Sequence, residues 1–220
     1  MELIPGDRLS DVLAFTGCYE ERLTRRVIEL GRLGGKMIDV GANLGYFSLL
    51  WLSLRSSNRC IAFEASPRNI GILQRNLSRN AMAERVQVFP CAASDRSGKV
   101  LFDLGPDDER GWGGIVLDRV SDRTIEIDAV RLDEIVSHDE EIALLKIDTE
   151  GADSLVLIGC ENLLKKGLVR EIWFEQNKPR MKQIGIPLDA GQKYLESVGY
   201  NCAPENNESD EVVEWRAVRH

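Results

Sequence analysis

Histidine is nearly missing from this 220-residue sequence, which has two, His138 and His220, beside five cysteines. None of Cys18, Cys60, Cys91, Cys160 and Cys202 forms a Cys-x-x-Cys pair. These shortages exclude the usual zinc ligand sets and a disulfide framework. The thiols read as small core residues in a reducing compartment. No run reaches the roughly 20 apolar residues of a membrane helix, and the N-terminus lacks a charged start, apolar stretch and cleavage site. The expected location is cytoplasmic, with no membrane partner. Basic residues are also short: 28 Lys and Arg stand against 36 Asp and Glu, for a net charge of −8. Without a basic cluster to reverse that sign, nucleic acid is not expected as a partner. The densest basic stretch, Arg22 to Arg32, carries Leu23, Val27 and Leu30 at helical spacing and reads as a solvated outer face.

What is present is an ordinary globular composition, 43% hydrophobic and 29% charged, in a length that suits one domain. From Lys36 onward, short β-branched runs alternate with helical patterns, the mark of an α/β, doubly wound, mainly parallel sheet covered on both faces. Strands are expected at Met37 to Val40, Cys60 to Phe63, Val86 to Phe89, Ile142 to Ile147 and Val169 to Phe174. The first is followed by a glycine turn and a helix with Phe47, Leu50, Trp51 and Leu54 on its buried face. After the second, Ser66 offers an N-cap and Pro67 a first helical position, with Ile70, Leu73 and Leu77 as the stripe. Leu155, Val156, Leu163 and Leu164 supply the face of the next helix, and Tyr194, Leu195 and Val198 that of the last. Tyr200 to Cys202 and Val212 to Val218 form a terminal antiparallel pair around the acidic tract 205 to 211. Between the third and fourth strands the rhythm breaks. Gly98 to Leu104 and Thr124 to Val130 read as extra strands joined by a Gly- and Asp-rich stretch, 105 to 114, that is either a lid or disordered.

Ligands of an open parallel sheet lie beyond the carboxyl ends of its strands. There this sequence places Asp39, Glu64, Asp148 and Glu175. The first turn is Asp39-Val-Gly-Ala-Asn-Leu-Gly45, in which Gly41 and Gly45 let the chain turn and a ligand approach backbone. Dinucleotide binders place a second glycine where Asn43 stands. A side chain there crowds a pyrophosphate but suits the amino acid end of S-adenosylmethionine (SAM), whose ammonium Asp39 can complement. Glu64, 25 positions after Asp39, matches the acid that meets ribose hydroxyls in nucleotide-binding units.

Three stretches carry a family resemblance: Ile38-Asp-Val-Gly-Ala-Asn-Leu-Gly-Tyr-Phe-Ser48, Phe63-Glu-Ala-Ser-Pro-Arg-Asn69 and Leu145-Lys-Ile-Asp-Thr-Glu-Gly151. Weaker likeness lies at Gly17 to Glu20, Ala92 to Asp95 and Phe174-Glu175. The chain resembles the FkbM-type SAM-dependent methyltransferases, class I enzymes that methylate hydroxyl groups of sugars and natural products. Departures at Leu44 and at Ser66-Pro67 remove no polar contact. The resemblance implies a seven-stranded, Rossmann-like sheet with the last strand inserted antiparallel. The chain is expected to be one SAM-dependent methyltransferase domain over 1–220, with a helical segment at 1–35 and, from its own strand pattern, a β insertion and candidate lid at 98–130. Asp39, Gly41 and Asn43 would surround the methionine end, Glu64 hold the ribose, and Ala92 and Ala93 lie beside adenine. Ala42, Gly45, Tyr46 and Ala65 complete the cofactor set.

A hydroxyl acceptor needs a base beside the methyl group. Asp148 is the first choice, with Glu150 and Glu175 behind it. Lys146 shares a strand face with Asp148 and pairs with it or with Glu175, so Lys146, Asp148 and Glu150 also read as an ion-pair network anchoring the loop. A divalent metal such as Mg²⁺ on these carboxylates is a secondary reading, and no metal site is assigned. His138 falls in an exposed polar connection, and Trp112 either stacks on an acceptor or anchors its loop. The expected activity is SAM-dependent O-methylation of a small-molecule hydroxyl on a saccharide or secondary metabolite. A catalytically silent SAM-binding module is one rival. A nicotinamide-dependent oxidoreductase is another, disfavoured by Asn43 and by the lack of a Tyr-x-x-x-Lys pair or a histidine donor in the site.

Overall fold

The computed structural model describes residues 1–220 apart from Val120, Ser209 and His220. One position each of the 98–130 insertion and the acidic tract, and the second histidine, thus lie outside the described residues. The chain opens with helices α1 (Arg8–Thr16) and α2 (Glu21–Leu33), where the sequence suggested one. Gly17, at φ 71° in the left-handed region, ends α1 and forces the break. Leu23, Val27 and Leu30 are buried along α2 as expected.

Strand β1 (Lys36–Val40) leads to α3 (Tyr46–Leu54), β2 (Arg59–Phe63), α4 (Pro67–Arg79) and β3 (Val86–Phe89). On α3 the buried residues are Phe47, Ser48, Trp51 and Leu52 rather than Leu50 and Leu54. Ser48 turns inward because its hydroxyl donates to the buried Asp39, 2.6 Å away. Pro67 opens α4 as expected, yet the Ser66 side chain makes no cap bond. The insertion comprises β4 (Ala92–Ala93), β5 (Gly98–Asp103), β6 (Gly114–Val116) and β7 (Thr124–Val130), followed by α5 (Leu132–Ile135). These four strands form a second sheet in the order β4-β7-β5-β6.

After β8 (Ile142–Ile147), a single expected helix is two, α6 (Asp153–Gly159) and α7 (Glu161–Lys165), broken at Cys160. Gly159 brings α6 so close to the Ser94 carbonyl that a Cβ would sit 2.0 Å from its oxygen. Strand β9 spans Glu171–Asn177, shifted from the expected 169–174, so Glu175 lies inside the strand rather than after it. Its parallel pairing to β8 is complete at Phe174, but antiparallel pairing to the terminal strand continues to Asn177. Then come α8 (Lys178–Gln183), capped by Asn177 and unforeseen, α9 (Ala190–Ser197), β10 (Tyr200–Pro204) and β11 (Val212–Arg219).

The main sheet has seven strands in the order β10-β11-β9-β8-β1-β2-β3, with β11 antiparallel to both neighbours. From β1 the chain builds outward to β2 and β3, then returns to β8 on the other side, which opens a crevice at the carboxyl ends of β1 and β8. Alternate residues bury into separate cores: Ile38, Val40 and Ile147 face one way with Val156 and Leu163, and Met37, Leu144 and Trp173 face the other with Val27 and Trp51. Cys60, Cys91 and Cys160 are buried, whereas Cys18 and Cys202 are only half-buried, and all five thiols are free. Among the described residues no helix is long and apolar enough to cross a membrane.

Candidate active site

The turn after β1 is set by backbone sterics. Gly41 has φ +74°, and a Cβ there would lie 1.9 Å from the Asp148 carbonyl oxygen. Only glycine permits both the dihedral and the approach. Asn43 is also left-handed, at φ 51°, a conformation asparagine tolerates better than most residues. Its N–H donates to Glu64 Oε2 at 2.7 Å, and the Ser66 N–H donates to Oε1 at 2.8 Å. Burial pushes the Glu64 carboxyl up to about 6, against the pull of these two N–H groups. Oε1 also accepts from Asn69 Nδ2 at 3.4 Å, so Oε2 is the oxygen that keeps a second lone pair for a ligand hydroxyl.

A cavity of about 680 Å³ lies in the crevice, within the range of small-molecule sites. Gly41, Ala42, Asn43 and Tyr46 line it from the first loop, Glu64 and Ala65 from the second, and Ala92 and Ala93 from the third. Asp148, Glu150 and Glu175 line its other end. Two residues of the expected set are elsewhere. Asp39 does not line the cavity; it is 1% exposed, beneath the loop, with Ser48 and Lys146 as its neighbours. Gly45 precedes α3 at φ +92°, where a Cβ would come within 2.6 Å of Leu73, so its role is packing. His138 stands outside the cavity lining, against the Asp133 carbonyl at 3.1 Å.

Lys146, 3% exposed, joins the two ends of the site. Its ammonium donates to the Gly41 carbonyl at 2.9 Å and to Asp148 Oδ2 at 3.2 Å, and lies 3.7 Å from Asp39. No contact to Glu175 forms. Burial opposes its charge, but Asp148, Asp39 and Glu20 outweigh that and hold it above the ordinary lysine range. One oxygen each of Asp148, Glu150 and Glu175 lies within 4.8 Å of the others, a set able to hold a divalent cation. Asn177 Nδ2 donates to Glu150 at 2.8 Å and reaches Glu175 at 3.5 Å. Burial, then the Asp148 charge, raises Glu150 to about 8 and Glu175 well above the usual carboxylate range. Glu20, missed as a site residue, joins them from the turn before α2 and is raised by burial to about 8. Asp153 holds the loop to β9, accepting from the Thr149 N–H at 3.0 Å and the Glu175 N–H at 2.7 Å.

The stretch joining β5 to β6 lies over the cavity. Arg110, Gly111 and Trp112 line it, and Gly111 packs against Asn43, whose Nδ2 would be 3.0 Å from an added Cβ. The Trp112 carbonyl accepts from Arg180 at 2.7 Å and the Arg110 carbonyl from Asn69 at 3.3 Å. Trp112 remains 42% exposed. Arg110 and Arg180 gave no sequence signal as site residues, because their contacts depend on how the insertion folds back, whereas Asn69 closes the Phe63 to Asn69 motif but was given no site role.

Comparison with known proteins supplies the family. Residues 39–212 match the family model "Methyltransferase FkbM domain". The chain is 26% identical to Methyltransferase sdnD of Sordaria araneosa, covering 78% of this chain and 82% of that one. It is 28% identical to the 2-O-methyltransferase NoeI of Sinorhizobium fredii, covering 70% and 68%. The solved Methyltransferase FkbM from Methylobacillus flagellatus superposes with a TM-score of 0.60 at 20% identity, over 84% of this chain but 43% of that one, and shows the shared fold. A match that extends from Asp39 to Val212 takes in the first turn, the Glu64 loop and the acidic end alike, and the chain belongs to the FkbM methyltransferase family.

Proposed function

We propose that the chain is a SAM-dependent O-methyltransferase acting on a hydroxyl of a saccharide or secondary metabolite. The observation that carries this reading is one cavity with the Gly41–Asn43 turn and Glu64 at one end and the Asp148, Glu150 and Glu175 carboxylates at the other. The residues fit the cofactor. Asn43 Oδ1 is a buried acceptor with no partner, suited to an ammonium donor, and Glu64 Oε2 keeps a lone pair beside the Asn43 N–H for a ribose hydroxyl. The likeness to NoeI, a 2-O-methyltransferase, supports oxygen as the acceptor atom. With the net charge of −8, it also supports a small-molecule acceptor over nucleic acid.

When bound, SAM supplies an electrophilic methyl group on a sulfonium. The chain's part is to hold the acceptor oxygen in line and to take its proton. Asp148 takes that role here: Lys146 fixes its Oδ2, leaving Oδ1 for the acceptor's hydroxyl. Glu150 and Glu175 accept further acceptor hydroxyls and serve as proton reservoirs beside it. Their convergence within 4.8 Å favours one second reading, a divalent cation orienting the acceptor. Calorimetry with SAM and NAD, then S-adenosylhomocysteine (SAH) release over a panel of glycosides with and without chelator, tests all of this. NAD binding without SAM binding would sink the proposal, and loss of turnover on chelation would establish the metal.

A further inference from the structure

Asn69 sits in the first turn of α4, 1% exposed, and lines the cavity. Its Nδ2 donates to Glu64 Oε1 at 3.4 Å and to the Arg110 carbonyl at 3.3 Å. Both neighbours are acceptors, which decides which end of the amide is nitrogen. Oδ1 is then left sealed from solvent with no partner. Ser66 Oγ, beside Glu64, is in the same condition, in a residue 1% exposed that also lines the cavity. Buried unpaired acceptors are rare and costly, and each calls for a missing partner. A tie between Glu64 and the covering segment needs only the amide's donor end. It gives no account of the oxygen.

We propose that Asn69 is a cofactor-binding residue whose Oδ1 accepts a hydrogen bond from a hydroxyl or amino group of the SAM nucleoside, with Ser66 Oγ beside it. The inference rests on SAM being the cofactor. Because Oδ1 only accepts, the ligand atom must carry a proton. That excludes the adenine ring nitrogens and leaves the ribose hydroxyls and the exocyclic amine. The donor end of the same amide holds Glu64 and Arg110 in position, so one side chain joins the ribose acid to the segment over the cavity.

The test is calorimetry of SAH and of its 2′-deoxy, 3′-deoxy and N6,N6-dimethyl analogues, on the wild-type chain and on Asn69→Leu. SAH affinity should fall roughly 5- to 50-fold in the variant, the range for losing one buried hydrogen bond. At least one analogue should bind the wild type more weakly than SAH does, and that penalty should shrink in Asn69→Leu, with any remainder on a ribose hydroxyl belonging to Glu64. Equal analogue penalties on both proteins, or SAH affinity within twofold of wild type in the variant, would overturn the proposal. If Asn69→Leu does not fold, the wild-type series still decides, since three analogues that all bind like SAH leave no donor for Oδ1. A wild-type chain that binds no SAH overturns the cofactor reading itself and this inference with it, an outcome seen before any variant is made.

Discussion

Replacing Gly41 by alanine tests how the two halves of the site are joined. The added Cβ meets two penalties. At φ +74° an L-residue is strained by about 1–2 kcal/mol. In addition the Cβ would stand 1.9 Å from the Asp148 carbonyl oxygen, well inside contact distance. That oxygen belongs to the backbone between β8 and the acidic loop, so relief requires the strand ends to part, at about 1–3 kcal/mol. The controls are Gly17→Ala and Gly185→Ala, both at φ +71° with nothing within 4 Å of an added Cβ. They carry the dihedral strain alone. For a chain of this size 1 kcal/mol moves Tm by roughly 2–4 °C. Gly41→Ala should therefore melt about 2–12 °C below the controls by circular dichroism, and SAH affinity should fall with it as Asn43 moves. If Gly41→Ala melts with the controls, the close approach of β1 and β8 is not what requires glycine here.

Asp148→Asn should lower kcat by roughly 10²–10⁴, the usual worth of a positioned base, while SAH calorimetry stays within about threefold of wild type; full activity would move the base elsewhere. Burial raises Glu20 and Glu150 to about 8 and Glu64 and Asp153 to about 6. The folded chain thus binds more protons than the unfolded chain between the ordinary carboxylate pKa and about pH 8, so stability falls as pH rises through that window. Melting from pH 5 to 8.5 should show it, and a Tm that climbs over the same range contradicts the clustering of these acids. Away from the site, Glu171 is 2% exposed and held by Arg26 at 2.7 Å and Arg216 at 2.9 Å. Glu171→Ala should cost about 2–4 kcal/mol in urea unfolding, less than a fully buried pair because both guanidinium groups keep contact with water.

The regular part of the fold was legible because its signals are short-range. Ile142–Ile147 was bounded correctly by its apolar run, and Pro67 marked the start of α4. Where tertiary pairing extends an element, local signals fail: β11 carries β9 on to Asn177 and draws Glu175 into the strand. In a sheet covered on both faces, apolar periodicity also says little about where a polar side chain points. Asp39 is therefore buried against Ser48 beneath the turn, although its position near the carboxyl end of the first strand suggested contact with the ligand. The register of β1 on β8 sets Asp39 beside Lys146, a pairing between residues more than 100 positions apart.

The sequence by itself determined the first turn, the Glu64 acid and the α/β order, and, with the Lys146 to Gly151 stretch, the family resemblance. Glycine sterics, strand periodicity and the spacing of an acid after a turn act within one strand-loop-helix unit. Only the tertiary structure decided that Glu20 joins Asp148, Glu150 and Glu175, that Lys146 reaches the Gly41 carbonyl, and that Arg110 and Trp112 cover the cavity. Those contacts depend on strand order and on the path of the insertion, which bring distant segments together at the carboxyl edge of the sheet. The glycine turn and its acid are thus written in local sequence, and the carboxylate end of the cavity is assembled by the fold.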